Sequence, residues 1–317
     1  MKTSYARTKE LIKDIAPKSF CAAKWYNVSI WLGNGRTASC HHPLAHPVPK
    51  KELAKNASAL HNTKFKKEQR KKMLAGERPK ECGYCWKVED AANDESINSD
   101  RIYQTARYTE EEIKALKDIP WDKNINPKTV EICFDNLCNL ACSYCNSEFS
   151  STWSKDIVKN GEYKNMVTDG GKTYRQDGSI AMPFGNKNEG NIYVKRFFDW
   201  FPEIKDGITE LRVSGGEPSR SPSFWKLIDM SDNEKFALAV NSNLIMEDSR
   251  LDRLVEAGKK FEKLDIYTSA ECMYKNQEFV RDGFEWDTWE KNVKKAVASP
   301  HINGMYVMMT ISLLGIW

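Results

Sequence analysis

Nine cysteines hold most of the chemistry that this 317-residue chain can offer, and they are clustered. Cys138, Cys142 and Cys145 stand in the run Cys-Asn-Leu-Ala-Cys-Ser-Tyr-Cys, a C-x3-C-x2-C spacing at the end of a strand-like segment. Three thiolates so close together can each take one iron of a cubane cluster, which leaves a fourth iron without a protein ligand. An open metal position of that kind is where chemistry happens. The alternative is a zinc site completed by a distant ligand, although zinc ribbons normally use paired C-x2-C knuckles. A second group comprises Cys21, Cys40, Cys82 and Cys85, and its spacing alone does not separate a tetrahedral zinc site from a fully ligated iron-sulfur cluster. Cys133 lies mid-strand between Ile132 and Phe134 and is expected to be a small packed residue. Cys272 follows a later strand, and its expected role is structural.

The three-cysteine run resembles the signature of the radical S-adenosylmethionine (SAM) enzymes, and the resemblance extends over roughly Val130 to Trp317. Val213-Ser-Gly-Gly-Glu-Pro218 looks like that family's GGE motif, which implies that Gly215, Gly216, Glu217 and Pro218 meet the methionine end of the cofactor. Alone, Gly-Gly-Glu-Pro reads equally as an ordinary turn. Asn241 in Asn-Ser-Asn, Ser269 and Glu271 in Ser-Ala-Glu, and Arg281 in Arg-Asp-Gly fall where relatives place further SAM contacts, although each fits capping or turn chemistry too. The family's chemistry implies a [4Fe–4S] cluster on Cys138, Cys142 and Cys145, with the amino and carboxylate groups of SAM on the open iron. Reductive cleavage of SAM to methionine would then give a 5′-deoxyadenosyl radical that takes hydrogen from a substrate. A low-potential electron donor of flavodoxin or ferredoxin type is the implied partner, and a peptide is the expected substrate class. Asn139 and Tyr144 are candidates for shaping the cluster loop.

Phe20-Cys-Ala-Ala-Lys-Trp, Gly33 to Cys40, and Lys71 to Asp90 together look like a twitch module, related to the SPASM domain. This second resemblance covers roughly Phe20 to Asp90 and implies an auxiliary [4Fe–4S] cluster on Cys21, Cys40, Cys82 and Cys85. Relatives often carry another cysteine where His41 and His42 follow Cys40, so one histidine is an alternative ligand. His46 and His61 also lie in polar stretches and read as surface or capping residues. The competing function is a non-catalytic, zinc-stabilised module that binds nucleic acid or protein.

These sites need a scaffold, and hydrophobic periodicity supplies an outline. Strand-like runs at Thr129–Phe134, Ile208–Ser214, Phe236–Ser242, Lys263–Thr268 and Met305–Ile311 alternate with helical patterns such as Leu251–Ala257 and Trp289–Val297. Such alternation predicts an α/β fold with functional groups at the C-terminal strand ends. With the resemblance it implies a partial (β/α)6-type barrel over residues 121–317, preceded by a small α+β cysteine-rich module over residues 1–120. Only five barrel strands are visible, so a truncated C-terminus or a covered sheet edge is expected. A polar stretch at 159–191 reads as an inserted loop.

Composition excludes other classes. Forty percent apolar and 29% charged residues, with 17 Gly and 12 Pro, fit neither a collagenous nor a disordered chain. Met305 to Trp317, the longest apolar run, is too short and too interrupted to span a bilayer. The charged, periodic N-terminal run lacks the apolar block of a secretory signal, which together with the odd cysteine count predicts a cytoplasmic protein with reduced thiols. Net charge is only +4, but Lys50 to Lys80 holds 11 basic residues against 3 acidic ones. Few aromatics interleave with them, so a solvated helix face is expected and nucleic acid is not.

Overall fold

A computed structural model describes residues 3–92, 97–161, 163 and 190–315. Ten strands occur in it: β1 (Asn27–Trp31), β2 (Arg36–Ala38), β3 (His46–Pro47), β4 (Thr129–Cys133), β5 (Ala141–Cys142), β6 (Glu210–Ser214), β7 (Glu234–Asn241), β8 (Phe261–Ser269), β9 (Arg281–Asp282) and β10 (Gly304–Met308). Eight form one mostly parallel sheet in the order β10-β8-β7-β6-β4-β1-β2-β3, and β5 pairs with β9. The protein is therefore of mixed α/β class. Its chain divides into two compact units, Met1–Ile30 with Gly35–Val130 and Asp199–Gly207, and Trp31–Asn34 with Glu131–Phe198 and Ile208–Trp317. The expected insertion at 159–191 lies outside the described residues except for its first and last few positions.

In the second unit, β6, β7, β8 and β10 run parallel. Their side chains alternate as a pleat requires. Leu211, Val213, Leu238, Val240, Leu264 and Ile266 are buried, whereas Arg212, Ser214, Asp265 and Tyr267 on the opposite face are half-exposed and polar. Helices Pro222–Met230, Asp248–Ala257 and Trp286–Val297 connect these strands and each buries an apolar stripe. Parallel order sends every strand's C-terminus to one edge of the sheet, which brings together loops that are far apart in sequence.

Sequence periodicity leaves the strand set open at β4, and the structure places β1 there. Lys128 N–H donates to Tyr26 O and Leu32 N–H donates to Cys133 O, each at 2.8 Å. Both pairs climb the chain together, so the pairing is parallel. Nothing local in Asn27–Trp31 announces this partner, because strand pairing across a hundred residues is a tertiary decision.

The first unit is built on Phe20, Trp25, Met73, Trp86, Ile102, Ile113 and Leu116, with Cys21 and Cys85 in the same core. Thr109 and Glu112 close a capping box on helix Glu110–Ala115. Thr63 caps helix Lys64–Leu74 by accepting from Lys66 N–H. That basic helix is not the uniformly solvated face expected from its charge, since Lys66 and Arg70 are fully buried. His61 is also fully buried rather than at the surface. Its Nε2 lies 2.7 Å from Trp25 O, which can only accept, so Nε2 carries the proton and Nδ1 accepts from Lys66 Nζ at 2.8 Å.

Burial, followed by the charges of Lys66 and Arg70, holds the His61 pKa well below its ordinary value. With the folded value below the unfolded value of about 6.5, the unfolded chain binds the extra proton first. The stabilising effect is present above about pH 6.5 and is lost as pH falls below it. Urea unfolding from pH 7.5 to 5 is expected to show stability falling by up to about 1.4 kcal/mol per pH unit from this group, and His61→Gln is expected to flatten that slope.

Candidate metal centres

The three-cysteine loop leaves β4 and is pinned from both sides. Ser150 caps helix Ser151–Asn160 and donates its hydroxyl proton to Leu140 O at 2.6 Å. Thr152 Oγ1 donates to Cys138 O at 2.8 Å, and Trp153 Nε1 donates to Cys142 O at 3.0 Å. From the opposite side, antiparallel β5 and β9 set Cys142 opposite Arg281, and Ser143 N–H donates to Val280 O at 2.8 Å. Burial pushes the Cys138, Cys142 and Cys145 thiols up to about 11. Cys142 raises Cys138, Cys145 raises Cys142, and Cys138 raises Cys145, so the three sulfurs are electrostatic neighbours.

Gly215 and Gly216 turn the chain at the end of β6, directly against residues 133–137, which lead into this loop. Gly215 has φ +118°, and a Cβ there would fall 2.5 Å from Cys133 Sγ. A Cβ on Gly216 would fall 2.4 Å from Leu137 O. Cys133 is thus the packed residue that its mid-strand position predicts. Glu217 N–H donates to Leu137 O at 2.6 Å, and its buried carboxylate accepts from Ser219 N–H at 3.1 Å, Ser242 Oγ at 2.9 Å and Asn243 N–H at 2.7 Å. Burial raises the Glu217 pKa while these donors pull it back. Glu217 therefore ties the end of β6 to the end of β7. Asn243 Nδ2 continues the network to Asn139 Oδ1 at 3.0 Å. Pro218 is buried at the start of the turn Pro218–Arg220.

Glu271 and Arg281 meet in a second buried network. Arg281 Nε donates to Glu271 Oε2 at 2.8 Å and Nη2 to Oε1 at 3.2 Å, with side-chain exposures of 8% and 0%. Tyr144 Oη donates to Glu271 Oε1 at 2.8 Å, and Gln277 Nε2 to Oε2 at 3.3 Å. Burial opposes the charge on Glu271, but the hydrogen bonds and charge of Arg281 outweigh it, and its pKa stays below the usual range. Through Arg281, opposite Cys142, the network reaches the cysteine loop. Ser269, half-buried at the end of β8, joins it only through its carbonyl, which accepts from Gln277 Nε2 at 3.4 Å, whereas Asn241 stands apart and accepts from Arg212 Nη1 at 3.2 Å on the polar sheet face. Gln277 and Ser242 were not singled out by sequence, and their roles follow only from contacts with Glu271 and Glu217. The Ser150-Ser151-Thr152 run carried a legible cap signal.

In the first unit, Cys21, Cys40, Cys82 and Cys85 line a single cavity together with Lys24, His42, Trp86, Asp100 and Arg101. Burial raises all four thiols, Cys40 to about 11. His42 stacks on Tyr84 with ring centroids 3.7 Å apart, and its Nε2 is 3.5 Å from Asp100 Oδ2. Cys272 lies apart from both groups, its Sγ 3.6 Å from Gln277 Oε1. Among the described residues, no three His, Cys, Asp or Glu side chains are close enough together to hold a single metal ion. No family model matches the chain, and no curated protein matches it.

Removing Arg281 leaves the Glu271 charge buried and unpaired. Arg281→Met is expected to lower unfolding stability by about 3–5 kcal/mol, and the double variant Arg281→Met/Glu271→Gln to recover much of that loss in a denaturant cycle. Additive losses would show that the two side chains are not coupled.

Proposed function

We propose that this protein is a radical SAM enzyme, with a partial (β/α)6-type barrel in its C-terminal part and a twitch-like auxiliary module in its N-terminal part. The observation that supports this reading best is the meeting of two motifs: residues 133–137, which lead directly into the C-x3-C-x2-C run at Cys138, lie against Gly215 and Gly216 so closely that neither position has room for a side chain. Cys138, Cys142 and Cys145 would hold the catalytic [4Fe–4S] cluster, and their three neighbouring thiols suit a donor set that leaves one iron open. When bound with SAM, that cluster supplies the electron that cleaves SAM to methionine and the 5′-deoxyadenosyl radical. The chain's own work is positioning. Glu217 and Asn243 brace the strand ends under the loop, while Arg281 and Glu271 hold the strand opposite Cys142. Trp153 Nε1 and Tyr144 Oη anchor the loop, the first to Cys142 O and the second to Glu271.

In this reading Cys21, Cys40, Cys82 and Cys85 hold the auxiliary cluster, since all four reach one cavity. A low-potential flavodoxin or ferredoxin would deliver the electron in the cytoplasm. The substrate is a peptide. No helix among the described residues is long and apolar enough to cross a membrane.

Anaerobically purified and reconstituted protein is expected to hold iron and sulfide and, once reduced, to convert SAM to 5′-deoxyadenosine. Cys142→Ala is expected to abolish that conversion while leaving the circular dichroism spectrum intact. Zinc at both sites with no retained iron would sink the enzyme reading in favour of a zinc-stabilised binding module.

A further inference from the structure

Beside the four-cysteine cavity, the first unit buries more positive than negative charge. Lys24 is 2% exposed, and Lys66 and Arg70 are 0% exposed. Of these three only Lys24 has a carboxylate among the described residues within ion-pair distance, that of Glu81, while the buried Arg101 on the same cavity is paired with Glu89. Lys66 Nζ donates instead to Asn27 O and His61 Nδ1, both at 2.8 Å. Arg70 donates to Lys24 O at 3.0 Å, Asn62 Oδ1 at 3.1 Å and Lys123 O at 3.2 Å. Burial holds the Lys66 pKa well below its ordinary value and brings Arg70 down to about 9, so an anion close by would favour the charged form of each.

The cavity is where such an anion fits. Lys24 lines it together with Cys82, whose thiol its charge pulls down against the effect of burial. A cation beside a sulfur favours its thiolate over its neutral thiol. Four thiolates around a cubane core would carry a net charge of about −2, the sign that the buried cations lack.

We propose that Lys24 is the counter-cation of a metal centre held by Cys21, Cys40, Cys82 and Cys85, and that its ion pair with Glu81 sets how strongly that centre holds an added electron. The proposal rests on the iron-sulfur reading of the site and adds the residues that tune it. One electron enters from an external reductant, no bond forms or breaks, and Lys24 keeps its proton. A positive charge against the sulfurs favours the reduced state, and Glu81 opposes it.

The test uses the full chain carrying Cys138→Ala and Cys142→Ala, so that the N-terminal site alone holds a cluster. It is reconstituted anaerobically with iron and sulfide and titrated with dithionite while the paramagnetic signal is followed. Adding Lys24→Met is expected to lower the equilibrium constant for reduction at least tenfold, about 59 mV for a one-electron couple. Lys24→Arg is expected to restore most of it, and Glu81→Gln to shift the midpoint in the opposite direction. Opposite shifts from two neighbouring substitutions are not the signature of a merely loosened fold. Unchanged midpoints in both, at full iron content, overturn the role of Lys24 and leave the cluster reading standing. Should Lys24→Met fail to fold, Glu81→Gln decides alone. Zinc without iron in the parent chain overturns the cluster reading itself.

Discussion

The carbonyl of Leu137 lies where any side chain on residue 216 would have to go, and the cysteine-loop end of the sheet depends on that close approach. Two backbones can come so near only when one of them is glycine. The hydrogen bond from Glu217 N–H to Leu137 O is made there, and the loop bearing Cys138, Cys142 and Cys145 is laid across the end of β6. Other restraints are secondary to it. The hydroxyls of Ser150 and Thr152 and the indole of Trp153 hold loop carbonyls from one side, and β9 holds Cys142 from the other.

A parallel sheet makes the convergence economical. Each crossover returns the chain to the same edge, so the loops after β4, β6, β7 and β8 meet although the first and last of these strands end at Cys133 and Ser269. Glu217 and Glu271 use that meeting differently. Glu217 is satisfied by neutral donors from the adjacent strand end, whereas Glu271 is paired with a cation and raises the cost of any disturbance. The first unit solves a different problem, burying Lys24, Lys66 and Arg70 and gathering four cysteines, two of them half-exposed, at one cavity.

Much of this was legible in the chain. The spacing of Cys138, Cys142 and Cys145, the glycines before Glu217, the capping box at Thr109 and Glu112 and the strand-helix alternation are local patterns, and local patterns survive in one dimension. His61, Lys66 and Arg70 were not legible. Polar residues in a polar stretch read as solvent-facing, and only the packing of helix Lys64–Leu74 put them inside. Nor did the Glu-x9-Arg separation of Glu271 and Arg281 announce an ion pair.

Sequence by itself determined the α/β class, the placement of cysteines at strand ends and in one tight knuckle, and the glycines that allow the close turn. Each follows from backbone geometry or side-chain period within a few residues. Tertiary structure decided that β1 pairs with β4, that Glu217 and Glu271 spend their carboxylates inside the protein, and that Lys24 faces Cys82. Those outcomes turn on which distant surfaces exclude water from each other, and no window along the chain contains both surfaces.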